Sequence, residues 1–142
     1  MEKYAPYIIE ALSSREISSF YHKDEKLVYS LKESAGGLIL GTYGCTGSIL
    51  RNICIYNRLL VPSQKIAVRK YLEKLNRKIS GGYFLTNPNI EYIIFTSQYE
   101  VPAQGMNPSI PDFTSFCSCS HEIFDSHIEN FRQILNTSPC LQ

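Results

Sequence analysis

The residue types most able to do chemistry gather at Cys117-Ser118-Cys119-Ser120-His121. Thiolates and imidazoles hold zinc, usually at Cys-x2-Cys or His-x3-His spacings, because the chain must curl around the ion. Here the spacing is i, i+2 and i+4. On a helix, Cys119 then points away from Cys117 and His121. On a strand all three would share a face, but the flanking periodicity is helical. The expected role of the two thiols is to pack like alanine or valine, with no metal and no cofactor. His121 and His127 are of a type that exchanges protons near neutrality. No carboxylate–nucleophile arrangement sits beside either of them in the sequence, and His127 falls on an apolar stripe, which marks a core or interface histidine. No catalytic residue is expected, and the chain is not expected to be an enzyme.

Two other patterns invite a chemical reading. Gly36-Gly37, Gly41, Gly44 and Gly47 are dense, as phosphate-cradling loops are. They fit neither Gly-x4-Gly-Lys-Ser/Thr nor a Gly-x-Gly-x-x-Gly that opens a helix, and turns and strand kinks explain them. The second pattern is a row of cations, Lys65, Arg69, Lys70, Lys74, Arg77 and Lys78, against the single acid Glu73. Such a face could hold phosphates. On an amphipathic helix it is more commonly a solvated surface. Nucleic-acid binding by the basic helix 62–80 is therefore the alternative reading.

The elements that must position these residues follow from periodicity. The chain has 142 residues, 44% of them hydrophobic and 19% charged, which is globular composition for one domain spanning 1–142. Its net charge of +1 gives no overall pull toward nucleic acid or an anionic membrane. Glu10 and Arg15 interrupt any export signal near the start, and no apolar run approaches a membrane span. With no export signal expected, five cysteines read as reduced thiols of a cytoplasmic protein.

Residues 2–14 predict a helix, with Tyr4, Tyr7, Ile8, Ala11 and Leu12 in one stripe. Strands are predicted over 26–31, 38–43 and 49–60, with turn signals at 34–37 and 44–48. Their short links require an antiparallel meander. Pro62 opens a helix running to about Ser80, with Val68, Tyr71, Leu72, Leu75 and Ile79 inward and Gly81-Gly82 as its stop. Strands follow at 83–86 and 91–101, around the turn Asn87-Pro88-Asn89. The second of these is apolar on both faces in its first half, so it is expected to be central or covered on both sides. After a loop at 102–111, Asp112 caps a last helix over 113–135, ended by Asn136-Thr137-Ser138-Pro139. The fold class is α+β: a five-stranded antiparallel sheet with three helices, in the order α-β-β-β-α-β-β-α.

That order, together with the segment Tyr71–Phe84, resembles the YbjN family, whose fold is that of the type III secretion chaperones. The family pattern has an asparagine near a helix end, an apolar residue one turn on, then Gly-x-Phe starting a strand. Asn76, Ile79, Gly82 and Phe84 match it. Taken alone, Gly82 suits a left-handed cap and Phe84 the start of a strand. The resemblance implies a non-catalytic, chaperone-like or regulatory protein-binding module that acts as a homodimer. Its partner would be another protein, held in a groove or at a sheet edge, with exposed Tyr and Phe as anchors. Secretion chaperones are usually acidic and this chain is nearly neutral, which favours the broader YbjN-like group.

Overall fold

The computed structural model describes residues 1–34, 37–105, 107 and 111–136. Nine elements follow in order: α1 (Ala5–Ser13), β1 (Ser18–His22), β2 (Leu27–Ser34), β3 (Gly37–Thr46), β4 (Ile49–Tyr56), α2 (Pro62–Asn76), β5 (Tyr83–Phe84), β6 (Ile93–Glu100) and α3 (Pro111–Asn136). The class is α+β, and the sheet is wholly antiparallel, in the order β1-β2-β3-β4-β6-β5. The β4–β6 pairing joins the meander to the β5–β6 hairpin across α2, making one continuous sheet.

Among the described residues the sheet has six strands and not the expected five. The additional one, β1, pairs with β2 from Ser18↔Leu31 to His22↔Leu27. It alternates as a strand should, with Phe20 outward and Ser19 and Tyr21 inward. Its link to β2 closes when the Lys26 amide donates to the His22 carbonyl at 2.8 Å, with Lys26 at φ +57. The β3–β4 hairpin is tighter than predicted. Thr46 pairs with Ile49, and only Gly47-Ser48 remain for the turn. Gly47 has φ +62, a positive φ at the first central position alone, which is the hairpin-compatible type II′ arrangement.

Other boundaries move by a few residues. The strand expected to reach Leu60 ends at Tyr56, where the Arg58 amide turns back to the Tyr56 carbonyl at 2.7 Å. α2 ends at Asn76, and β5 holds only Tyr83 and Phe84. Asp112 lies inside the first turn of α3, with Pro111 as the first helical residue, where proline's missing N–H costs little. The predicted turn residues Ala35 and Gly36, residues 106 and 108–110 of the 102–111 loop and the 137–139 helix stop lie outside the described residues.

All three helices pack on one face of the sheet. Val28, Ile39, Tyr43, Leu50, Cys54, Tyr56, Ile93 and Phe95 point to them and are fully buried. One apolar cluster joins α1 and the start of α3 to β2, β3 and β4. A larger one joins α2 and the rest of α3 to β3–β6. In the larger cluster Phe84, Phe95, Phe124 and Phe131 meet edge-on at centroid distances of 5.0–6.0 Å, which adds ring electrostatics to the burial. Among the described residues no helix is long and apolar enough to cross a membrane.

Candidate functional site

The cysteine–histidine segment lies on α3 and faces a polar seam between the two apolar clusters. Ser30 of β2, Asn52 of β4 and Ser97 of β6 line the sheet side, and Ser120 and His121 the helix side. Each is 5% exposed or less. Asn52 organises the seam. Its Nδ2 donates to the Thr42 carbonyl at 3.0 Å, and its Oδ1 accepts from the Ser120 hydroxyl and from the Cys54 thiol. Gly41 sits beneath: a Cβ there would lie 2.3 Å from Ser30 Oγ and 2.9 Å from Cys54 Sγ. A side chain at position 41 would thus displace the seam, a stricter reason for glycine than a strand kink.

His121 Nε2 is 3.4 Å from Ser30 Oγ, and its Nδ1 is buried without a partner. Burial, with Lys32 adding to it and Asp125 opposing, lowers its pKa from 6.5 to about 4. Burial pushes the thiols of Cys54 and Cys117 up to about 12, so both are protonated and poor nucleophiles. Cys117 packs in the α1-side cluster and Cys119 against the α2-side cluster. Among the described residues no group of three or more His, Cys, Asp or Glu could hold a metal ion. His127 is half-buried, with its ring against Tyr71 and Phe131 and its Nδ1 3.3 Å from the Tyr71 hydroxyl.

The residues Asn76, Ile79, Gly82 and Phe84 form one joint. Asn76 Nδ2 donates to the Phe84 carbonyl at 2.9 Å, and the Phe84 amide donates to Asn76 Oδ1 at 2.7 Å. The asparagine therefore mimics a neighbouring strand for the last residue of β5. Phe84 is buried, and Ile79 packs against the same cluster. The left-handed residue is Gly81, at φ +89, and not Gly82. Gly82 is required for close approach instead: a Cβ there would lie 2.5 Å from the Thr96 carbonyl and 2.6 Å from the Phe95 ring.

Of the six cations expected on one helix, Lys65, Arg69, Lys70 and Lys74 lie on α2, whereas Arg77 and Lys78 follow its end at Asn76; Lys70, Lys74, Arg77 and Lys78 are exposed and Lys65 is half-buried. Arg69 turns inward, and its Nε donates to the Thr86 carbonyl at 2.9 Å. One of the six is thus committed to the fold.

The surface with the means to hold a polypeptide is elsewhere. β1 is an outer strand of the sheet, paired on one side with β2. A strand in that place leaves the N–H and C=O groups of every second residue pointing outward. Beside this edge runs a groove of about 900 Å³ between α1 and β1. Ala5, Pro6 and Ile9 form its helix wall and Tyr21 its strand wall, with Glu2, Glu10 and Lys23 on the rim. Because β1 was not expected as a strand, neither the edge nor the groove was visible in the sequence. The alternation of Ser19, Phe20 and Tyr21 was the available signal.

The opposite face of the sheet is apolar as well. β6 was expected to be central or covered on both sides; it is an inner strand, paired with β4 and β5, while all helices lie on the inner face and leave its other face uncovered. Ile94 of β6 instead joins an uncovered row.

The fold of this chain, an antiparallel sheet with its helices on one face, is YbjN-like. The comparison that establishes this is with the crystal structure of YbjN from E. coli, described as a candidate transcription regulator. The TM-score is 0.57 over 87% of this chain and 89% of that one, at 14% sequence identity. No family model matches the chain, and no curated protein matches it.

Proposed function

We propose that this chain is a non-catalytic protein-binding module, chaperone-like or regulatory, which works in the cytoplasm as a homodimer. It takes an extended segment of a partner protein along β1. Among the described residues β1 has no strand on its outer side, and that edge beside an apolar groove is the observation that carries this reading. Backbone pairing to the edge supplies affinity for any sequence, and alternate side chains entering the groove against Ile9 and Tyr21 supply selectivity. The buried seam supports a structural role for its histidine and thiols, since Ser30, Asn52, Ser120 and His121 are shut off from solvent.

Selection from a displayed peptide library tests this. The wild-type chain is expected to enrich extended sequences with alternating apolar residues, and Ile9→Arg, which fills the groove with a charge, is expected to release them. Equal retention by both proteins would remove the edge site.

A second reading is nucleic-acid binding through Lys65, Arg69, Lys70, Lys74, Arg77 and Lys78. The description of YbjN as a candidate transcription regulator favours it. It requires retention on a phosphate-rich column that falls steeply with salt, which the peptide-binding reading does not.

A further inference from the structure

The outer face of the sheet carries two transverse rows of side chains. One runs through Leu31, Leu40, Ile55 and Ile94, which the strand registers place side by side. The other runs through Phe20, Tyr29, Thr42, Ile53, Thr96 and Tyr83. Neither contains a charged residue. Exposure is high for a face this apolar: Phe20 58%, Tyr83 56%, Leu31 46% and Ile53 38%. A shallow concavity of about 530 Å³ opens along Phe20, Tyr29, Leu31, Leu40, Ile53 and Ile55. Charged residues stand at the strand ends, Glu33 at one and Arg51 and Glu100 at the other. An uncharged centre inside a charged margin is how the buried core and rim of an interface are arranged.

We infer that this face is where two copies of the chain meet, sheet against sheet. The inference rests on the homodimer of the proposed function and gives it a place. Size is the first argument. Six strands at about 4.8 Å each, averaging about seven residues at about 3.3 Å each, make a footprint of about 29 by 23 Å, or about 670 Å². The accessible area of a face studded with side chains exceeds its flat footprint, and a specific dimer buries about 800 Å² per partner. The face is therefore the size a stable dimer needs. Chemistry is the second argument. The backbone groups of the inner strands are already used in the ladder, so a segment laid across the face gains no pairing there. What covers such a surface is another flat apolar layer, and two sheets pack this way at about 10 Å separation. A second copy brings the same uncharged rows, with no like charges to oppose contact. The α1–β1 groove lies on the helix side, so the dimer keeps two capture sites open.

Size-exclusion chromatography with light scattering on the full chain tests this. The wild type is expected at the dimer mass. Ile53→Glu and Phe20→Glu are each expected at the monomer mass with an unchanged circular dichroism spectrum; both positions are exposed, and Phe20 the more so should Ile53→Glu fail to fold. Ile66→Glu, on the exposed side of α2, is expected to stay dimeric. A dimer that survives both outer-face variants would overturn the inference while leaving the homodimer standing. Dissociation by Ile66→Glu alone would do the same and move the interface to α2. A monomeric wild type would overturn the homodimer, and the interface with it, without touching the peptide-capture test on Ile9→Arg.

Discussion

Protonating His121 costs stability, because the site offers the added charge little compensation. The imidazole is buried beneath β2, near the Lys32 ammonium, and only Asp125 favours its cationic form. Its pKa falls from 6.5 in the unfolded chain to about 4 in the fold. Between those values the unfolded state binds a proton that the native state does not, so stability rises with pH there. The contribution is complete above 6.5, is lost as pH falls, and is gone below 4. At about 1.4 kcal/mol per pH unit the loss approaches about 3 kcal/mol. Urea midpoints at pH 7 and pH 4.5, in wild type and His121→Gln, measure it. The variant should lose distinctly less stability on acidification than the wild type. Identical losses would show that the carboxylates alone set the acid response.

At the scale of elements, the joint between α2 and β5 is the point where one side chain holds two pieces together. β5 is two residues long, and the Phe84 amide donates to Asn76. In Asn76→Ala both backbone groups lose their partner, an expected cost of about 2 kcal/mol. Hydrogen exchange separates this from general loosening: the Phe84 amide should lose its protection while the amides of β6 paired with β4 keep theirs. Uniform loss across the sheet would mean that Asn76 supports the whole fold and not the joint. This joint was partly legible in the sequence, where Asn76, Gly82 and Phe84 stood at the right spacing. The reason for them was not. Asparagine acting as a substitute strand, and Gly82 pressed against the Thr96 carbonyl, are tertiary facts. Helices and inner strands were legible because their periods are long and apolar. β1 was not, since Ser18–His22 is short and half-polar. Nor could alternation say which face of β4 meets the helices. Its outward set, Ile49, Arg51, Ile53 and Ile55, and its inward set, Leu50, Asn52, Cys54 and Tyr56, each hold a polar residue among apolar ones.

That double apolarity has a consequence for the whole molecule. With a net charge of +1, two copies approach with little mutual repulsion. An interface built on Leu31, Leu40, Ile53 and Phe20 has no ion pair at its centre for salt to screen. Salt at about 0.5 M shortens the screening length to a few ångströms, which would dissolve an interface that depended on the α2 cations. Apolar burial is left intact or strengthened by salts excluded from protein surfaces. Sedimentation equilibrium at low and high sodium chloride is therefore expected to give dimer dissociation constants within about threefold of each other, a difference under about 1 kcal/mol. Calorimetric dilution should also show the negative heat-capacity change of association that marks apolar burial. A dimer that weakens tenfold or more with salt would point to a charged contact and to α2, whereas one indifferent to salt but lost in Phe20→Glu would tie the oligomer to the uncovered side of the sheet.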